Sequence, residues 1–288
     1  MTGDVPDACT MMVDEVGIEI GIYRDYRLKS AYQPIFSRRN EHVFPVAVKG
    51  LTAPFLAGKP VPRDVFFAGV PEHESKLLHG MCGLLHLRNH RNIGVAGLDL
   101  FVTLGPTAGR DVWDTQLSSL KLQMEGMSFD PAMLVVEIDE DAGAEPGAID
   151  EIAIELRRCG ARIALGDFGA RTSSVERFEA VKPDVVSFSG SWFRKLCRDK
   201  ASAHLFAIAV SHLRGRGVIT QLDGIETAQQ LIVALEAGVD LLRGEFLAPP
   251  ALAGTAFDER PLEIEALIDR PAKVIAFPTA DSSEMRSL

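Results

Sequence analysis

From residue 31 onward the chain alternates short, almost uninterrupted apolar runs with amphipathic helical patterns. The candidate strands are 31–36 (AYQPIF), 43–50 (VFPVAVKG), 98–105 (LDLFVTLG), 133–139 (MLVVEID), 162–168 (RIALGDF), 184–189 (DVVSFS), 217–223 (GVITQLD) and 241–246 (LLRGEF). Strands apolar at nearly every position are buried on both faces, the mark of a parallel sheet covered by helices. The intervening helices carry their own punctuation. Ile149, Ile152, Ala153 and Leu156 recur at helical spacing before the stop at Gly160. Thr227 with Gln230 forms a capping box for a helix ending near Gly238. Leu205, Phe206, Ile208, Ala209 and Leu213 form a third apolar band. Eight strands with intervening helices predict an α/β fold, a (β/α)8 barrel. A doubly wound open sheet is the competitor, but no glycine-rich phosphate loop follows any strand.

In such a barrel reactive side chains project from the C-terminal ends of the strands. Those ends offer Val48, Lys49, Gly50, Leu51 and Thr52, then Thr103, Glu137 and Asp139 with Glu140, Gly166 and Asp167, Ser187 and Ser189, Asp223 with Glu226, and Arg243 with Glu245. Carboxylates from three strands are therefore predicted to converge on one mouth.

The segments YQPIF, LFVTLGP, VVEIDE, GDFGARTSS, LDGIET and GVDLLRGEFLAPP resemble, in order and spacing, the EAL domain, over roughly residues 30–250. That family comprises bacterial phosphodiesterases that linearise cyclic di-GMP with magnesium or manganese. The resemblance implies a TIM-like barrel of the EAL type, cyclic di-GMP signalling, and a degenerate member. The signature Glu-Ala-Leu tripeptide aligns with Val48, Lys49 and Gly50, and a phosphate-holding arginine with Thr52. A metal-binding asparagine aligns with Thr103, the first of a paired aspartate with Gly166, a lysine and an aspartate with Ser187 and Ser189, and a late glutamine with Arg243. Glu137 matches the metal-binding glutamate, and Glu140 the residue that steadies the loop after the fifth strand. Asp167 matches the second aspartate, and Asp223 is a shortened form of the catalytic glutamate. Arg171 and Thr172 stand where glycine and tyrosine are usual.

In-line displacement with two metals needs ligands that hold both ions against the attacking and leaving oxygens, and magnesium demands near-octahedral oxygen ligation. Valine and glycine side chains supply neither. Glu137, Glu140, Asp167 and Asp223 are therefore read as vestigial, with no functional catalytic residue, no cofactor and no metal; residual magnesium or manganese binding is the lesser alternative. Arg171 and Arg243 are possible mouth residues, expected to neutralise the remaining carboxylates. The expected role is a regulatory protein-binding module; a non-hydrolysing cyclic di-GMP receptor and a weak phosphodiesterase are the alternatives.

The remaining features set boundaries. A net charge of −10 in 288 residues argues against a nucleic-acid partner. No run approaches the length of a membrane span, and Asp4 and Asp7 replace the basic start of a signal peptide. A bacterial cytoplasmic location follows as the expectation, with Cys9, Cys82, Cys159 and Cys197 as free or buried thiols. A protein partner is expected, its identity open, and a homodimer is an open option. Residues 1–30 are read as a lead-in with a helix around DEVGIEIGIYRDYRLK, 31–252 as the barrel, and 253–288 as an extension with a disordered end. His79, His86 and His90 share a helix and are expected to face solvent; Trp192, Phe193 and Cys82 are expected in the core.

Overall fold

The computed structural model describes residues 9–104, 118, 121–127, 129–139, 148–169, 175–198 and 200–269. Residues 14–29, expected to be helical, are not. Strands β1 (Cys9–Val13) and β2 (Glu19–Tyr23) form an antiparallel pair, and β2 turns through Arg24 and Asp25 into β3 (Tyr26–Arg39). The period is two, with Ile18, Ile20 and Ile22 alternating and Arg24 in the left-handed region at φ 50°. The boundary expected at residue 30 therefore falls inside a 14-residue strand.

β3 pairs along its length with β4 (His42–Leu56) around a tight turn at Asn40, whose φ is 56°. The first two barrel strands are thus a hairpin, because two residues are too few for a crossover helix. Here the structure departs from the regular strand–helix alternation. After the short β5 (Lys59–Pro60), α1 (Arg63–Ala68) and α2 (Glu72–Asn89), the alternation begins. It runs through β6 (Asp99–Leu104), β7 (Leu134–Asp139), α3 (Ala148–Arg158), β8 (Arg162–Phe168), α4 (Val175–Val181) and β9 (Val185–Phe188). It continues with α5 (Gly190–Leu196), α6 (Lys200–Gly215), β10 (Ile219–Leu222), α7 (Ala228–Ala237) and β11 (Leu241–Leu242). Hydrogen bonding in the order β3-β11-β10-β9-β8-β7-β6-β4 and back to β3 closes an eight-stranded barrel. β4 and β6 to β11 run parallel; β3 runs against both its neighbours. All eight strands read from the sequence are present.

The residues after the barrel extend its wall. β12 (Ala251–Leu252) pairs with β3, β13 (Leu262–Glu263) pairs with β4, and Ile264 and Leu267 of α8 (Ile264–Ile268) are buried. The disordered end expected for the C-terminus lies outside the described residues. Among the described residues no helix is long and apolar enough to cross a membrane.

Helix α3 buries Ile149, Ile152, Ala153 and Leu156 against the strands. At the start of α7, the Gln230 N–H donates to Thr227 Oγ1 at 3.3 Å and the Thr227 N–H donates to Gln230 Oε1 at 3.1 Å, the reciprocal cap read from the sequence. Helix α6 differs from its expected band. Phe206, Val210 and Leu213 face the core, while Leu205 and Ile208 are exposed. Trp192 stacks on Phe188 with ring centroids 5.8 Å apart, Phe193 is fully buried, and Cys82 lies in the cluster around Leu78 and Leu85, all core as expected. The four cysteines are free.

His79, His86 and His90 do not face solvent. His86 and His90 are buried and His79 is half-buried, because α2 packs across β2, β3, β4 and β6. His86 sits between Ser30 Oγ at 2.9 Å and Thr52 Oγ1 at 3.3 Å. Gly50 makes this approach possible, since a Cβ there would lie 2.8 Å from that of His86. Burial, then the charges of Arg63 and Lys49, push the His86 pKa down to about 3. The unfolded chain therefore binds a proton at His86 that the folded chain refuses. Stability is expected to fall as pH drops from about 6.5 toward 3, by up to about 1.4 kcal/mol per unit. Urea denaturation at several pH values should show this slope, flattened by His86→Gln; an unchanged slope in the variant would refute the assignment.

Candidate functional site at the barrel mouth

Each of the eight strands places one apolar residue in a layer that plugs the barrel. These are Ile35, Ala47, Phe101, Val135, Ala164 and Val185, with Ile219 and Leu241 packed against them. Side chains alternate along a strand, so the next inward position lies two residues on in each parallel strand and two back in antiparallel β3. That second layer is Lys49, Thr103, Glu137, Gly166, Ser187, Gln221, Arg243 and Gln33. Apart from Gly166 it is polar, and it forms the floor of the mouth.

The same parity corrects the reading of the signature tripeptide. Val48 is buried in the outer cluster with Leu87, Leu100 and Val136, facing the helices. The residue of β4 that faces the mouth is Lys49. A shift of one residue along a strand exchanges inside for outside, and Thr52 correspondingly lies against His86.

Two clusters share the floor. In the first, Lys49 Nζ donates to Glu137 Oε1 at 2.5 Å, and Thr103 Oγ1 donates to the same oxygen at 3.2 Å. Lys49 and Glu137 are both buried, with side chains only 4% and 8% exposed. In the second, Arg243 grips Asp223 with two nitrogens, Nε on Oδ1 at 2.8 Å and Nη2 on Oδ2 at 2.7 Å. Its Nη1 donates to Gln33 Oε1 at 2.6 Å. Gln221 Nε2 and Ser187 Oγ complete the shell by donating to Asp223 at 2.8 and 3.2 Å. Burial would raise the Asp223 pKa, but the Arg243 charge and hydrogen bonds, with Lys49 and Gln221, outweigh it and hold the carboxyl below the usual aspartate value.

Asp167 lies between the clusters. The register of β8 against β9 shifts between Leu165 and Phe168, and Asp167 itself adopts φ 52°. Its side chain is exposed. Partial desolvation, then the charges of Glu137 and Asp223, push its carboxyl above the usual value despite Lys49 and a hydrogen bond with Ser189.

Of the residues predicted for the site, Glu137, Asp167, Asp223 and Arg243 meet at one end of the barrel. Arg243 neutralises Asp223, as expected of it. Glu140 and Arg171 lie outside the described residues. Lys49 was placed at a strand end by sequence reasoning but given no role, and Gln33 and Gln221 were not singled out; the inward-facing Ala47 and Ile219 of the structure identify all three as mouth residues.

The donor set does not fit the magnesium or manganese that the resemblance implies. One oxygen of Glu137 receives an ammonium and a hydroxyl, and both oxygens of Asp223 receive a guanidinium. Thr103 and Ser187 are neutral, and Gly166 has no side chain. Among the described residues no group of three or more His, Cys, Asp or Glu side chains could hold a metal ion.

The EAL domain family profile matches residues 83–250, more than half of the chain. Over 153 residues the chain is 26% identical to the uncharacterised protein y4lL of Sinorhizobium fredii, covering 53% of this chain and 17% of that protein. Over 99 residues it is 28% identical to the probable cyclic di-GMP phosphodiesterase PdeD of Escherichia coli, covering 34% and 19%. Over 121 residues it is 24% identical to the cyclic di-GMP phosphodiesterase RocR of Pseudomonas aeruginosa, covering 42% and 31%. The chain thus spans less than a third of the length of each. The fold is shared with Klebsiella pneumoniae BlrP1 in its manganese and cyclic di-GMP complex (TM-score 0.68, 18% identity, covering 82% of this chain and 59% of that one). It is also shared with the EAL-domain protein YkuI of Bacillus subtilis bound to cyclic di-GMP and calcium (0.68, 21%, 84% and 60%). A standalone EAL protein of Vibrio cholerae in its cyclic di-GMP-bound form matches over 81% of this chain and 97% of its own (0.66, 17%). Matched over more than half its length and sharing this closed barrel, the chain belongs to the EAL domain family.

Proposed function

We propose that this EAL barrel does not hydrolyse cyclic di-GMP and acts as a regulatory module that binds a protein partner in bacterial signalling. The observation that carries the reading is the pairing of Glu137 with Lys49 and of Asp223 with Arg243. Two of the three described mouth carboxylates already have a cation of the chain itself. Metal-assisted phosphodiester cleavage needs those charges free to hold ions on both sides of the reacting phosphorus.

The pairing also argues against the dinucleotide as a ligand. Affinity without a metal would have to come from cationic clamps on its phosphates. Arg243 is committed to Asp223 and Gln33, and the mouth carboxylates repel an anion.

Incubation of the purified protein with labelled cyclic di-GMP and either magnesium or manganese is expected to leave the nucleotide intact. Turnover that disappears with Asp167→Asn would overturn the proposal. Calorimetry at micromolar protein is expected to give no saturable isotherm, since binding weaker than high micromolar corresponds to roughly 5–6 kcal/mol or less. A one-site isotherm in the low micromolar range, weakened by Arg243→Ala, would establish the receptor reading instead. Affinity capture from the native cell then tests for the partner; recovery of no specific protein would count against the module.

A further inference from the structure

The two halves of the mouth are neutralised in different ways. On one side Arg243 meets both oxygens of Asp223, and those oxygens also accept from Gln221 and Ser187. On the other side, among the described residues, the donors converge on a single oxygen of Glu137. Lys49 and Thr103 both reach Oε1, while Oε2 is buried without a hydrogen-bond partner. A buried carboxylate needs both a compensating charge and donors for its lone pairs. Here an ammonium supplies the charge from one side only. Its field extends across the mouth, for the Lys49 charge also acts on Asp167 and Asp223.

Among the described residues, the three carboxylates Glu137, Asp167 and Asp223 therefore share two cations. Arg243 is held by Asp223 and Gln33, which leaves Lys49 as the cation of the Glu137 half. We propose that Lys49 is a tethered counterion that occupies the place of a metal ion in this mouth, meeting the charge of the cluster and excluding divalent cations from it. The idea rests on the metal-free reading above and goes further, in naming the residue that makes the site metal-free and implying that its removal would uncover a cation site. A neutral side chain at position 49 leaves Glu137 buried without compensation. The cluster can then recover its balance by taking up an ion from solution.

Manganese alone is the probe, with the full chain and no nucleotide. Titration followed by the loss of the free-manganese EPR signal is expected to show no saturable site in the wild type. Lys49→Gln is expected to show one site per chain, tighter than any wild-type binding by about tenfold or more. Excess manganese should raise the Tm of this variant by roughly 5 °C and leave the wild type unchanged. The double variant Lys49→Gln, Glu137→Gln should lose the manganese site and be more stable than Lys49→Gln alone, because no unpaired charge remains.

Wild-type binding equal to that of Lys49→Gln, or a folded Lys49→Gln chain that binds no manganese, would overturn the proposal. If Lys49→Gln does not fold, the double variant decides. Restored folding supports charge compensation, and an equally unfolded double variant refutes it. Failure to recover a protein partner would count against the function proposed above but would not alter this readout.

Discussion

Gly244→Ala is expected to give no folded, soluble barrel. An added Cβ at this position would lie 2.0 Å from the carbonyl oxygen and 2.3 Å from the nitrogen of Ile225, both backbone atoms. Neither can swing aside as a flexible side chain would. The Ile225 N–H donates to Arg243 O at 3.0 Å, and Ile225 O accepts from the Phe246 N–H at 3.1 Å. Moving Ile225 would break both bonds and separate the loops that carry Asp223 and Arg243. The cost should exceed about 4–5 kcal/mol, beyond what most single substitutions exact. Soluble yield and urea denaturation, where any folded fraction is recovered, provide the check. A variant within about 1 kcal/mol of the wild type would show that the loops can separate without loss.

The second large effect is expected at Arg243. Arg243→Ala leaves Asp223 with Gln221 and Ser187 as donors but no counterion, and it deprives Gln33 of a partner. Removing one member of a fully buried ion pair costs about 3–5 kcal/mol. The side chains here remain 16% and 19% exposed, which places the expectation at the lower end of that range. The pH dependence should change as well. The depressed Asp223 carboxyl contributes stability at pH values above its unfolded pKa, and that stability is lost as the pH falls through the folded pKa. Without Arg243 the carboxyl is no longer depressed, so the contribution is absent and the acid limb flattens. Urea midpoints for both proteins between about pH 7 and pH 3 test this. Equal acid limbs would mean that Arg243 does not hold Asp223 ionised. Arg243→Leu combined with Asp223→Leu should recover part of the loss, because it leaves no unpaired charge.

The barrel was legible in the sequence because its strands are buried on both faces and so read as uninterrupted apolar runs. RIALGDF and DVVSFS needed no knowledge of their partners. The lead-in was misread because its signal is shorter. Ile18, Ile20 and Ile22 alternate over only five residues, and the charged RDYRLK that follows resembles a helical face. Burial of His86 was invisible for another reason. A polar residue on a helix reads as exposed unless the opposing Ser30, Thr52 and Gly50, 34 to 56 residues away for the two hydroxyls, are known to meet it.

The site was legible in part. Glu137, Asp167, Asp223 and Arg243 stand out at strand ends as charges in apolar surroundings. Lys49 did not, because the run VFPVAVKG is apolar on both sides of the wall and fixes no inward parity. Only pairing with β6, where Ala47 meets Asp99 and Lys49 meets Phe101, decides which residues face the mouth.

The opposed direction of β3 sets a schedule for the chain as it leaves the ribosome. The β3–β4 hairpin can form as soon as residue 56 is clear, yet the other edge of β3 is covered piecemeal. β2 takes Tyr26 to Leu28, β12 takes Ala31 and Tyr32, and β11 takes Phe36 and Ser37. The last two partners are made about 200 residues later, on the order of 10–40 s at ordinary elongation rates. Through that interval the edge of β3 from Ala31 to Ser37 is an open template for any other extended chain. Nascent copies on neighbouring ribosomes would meet at that edge first.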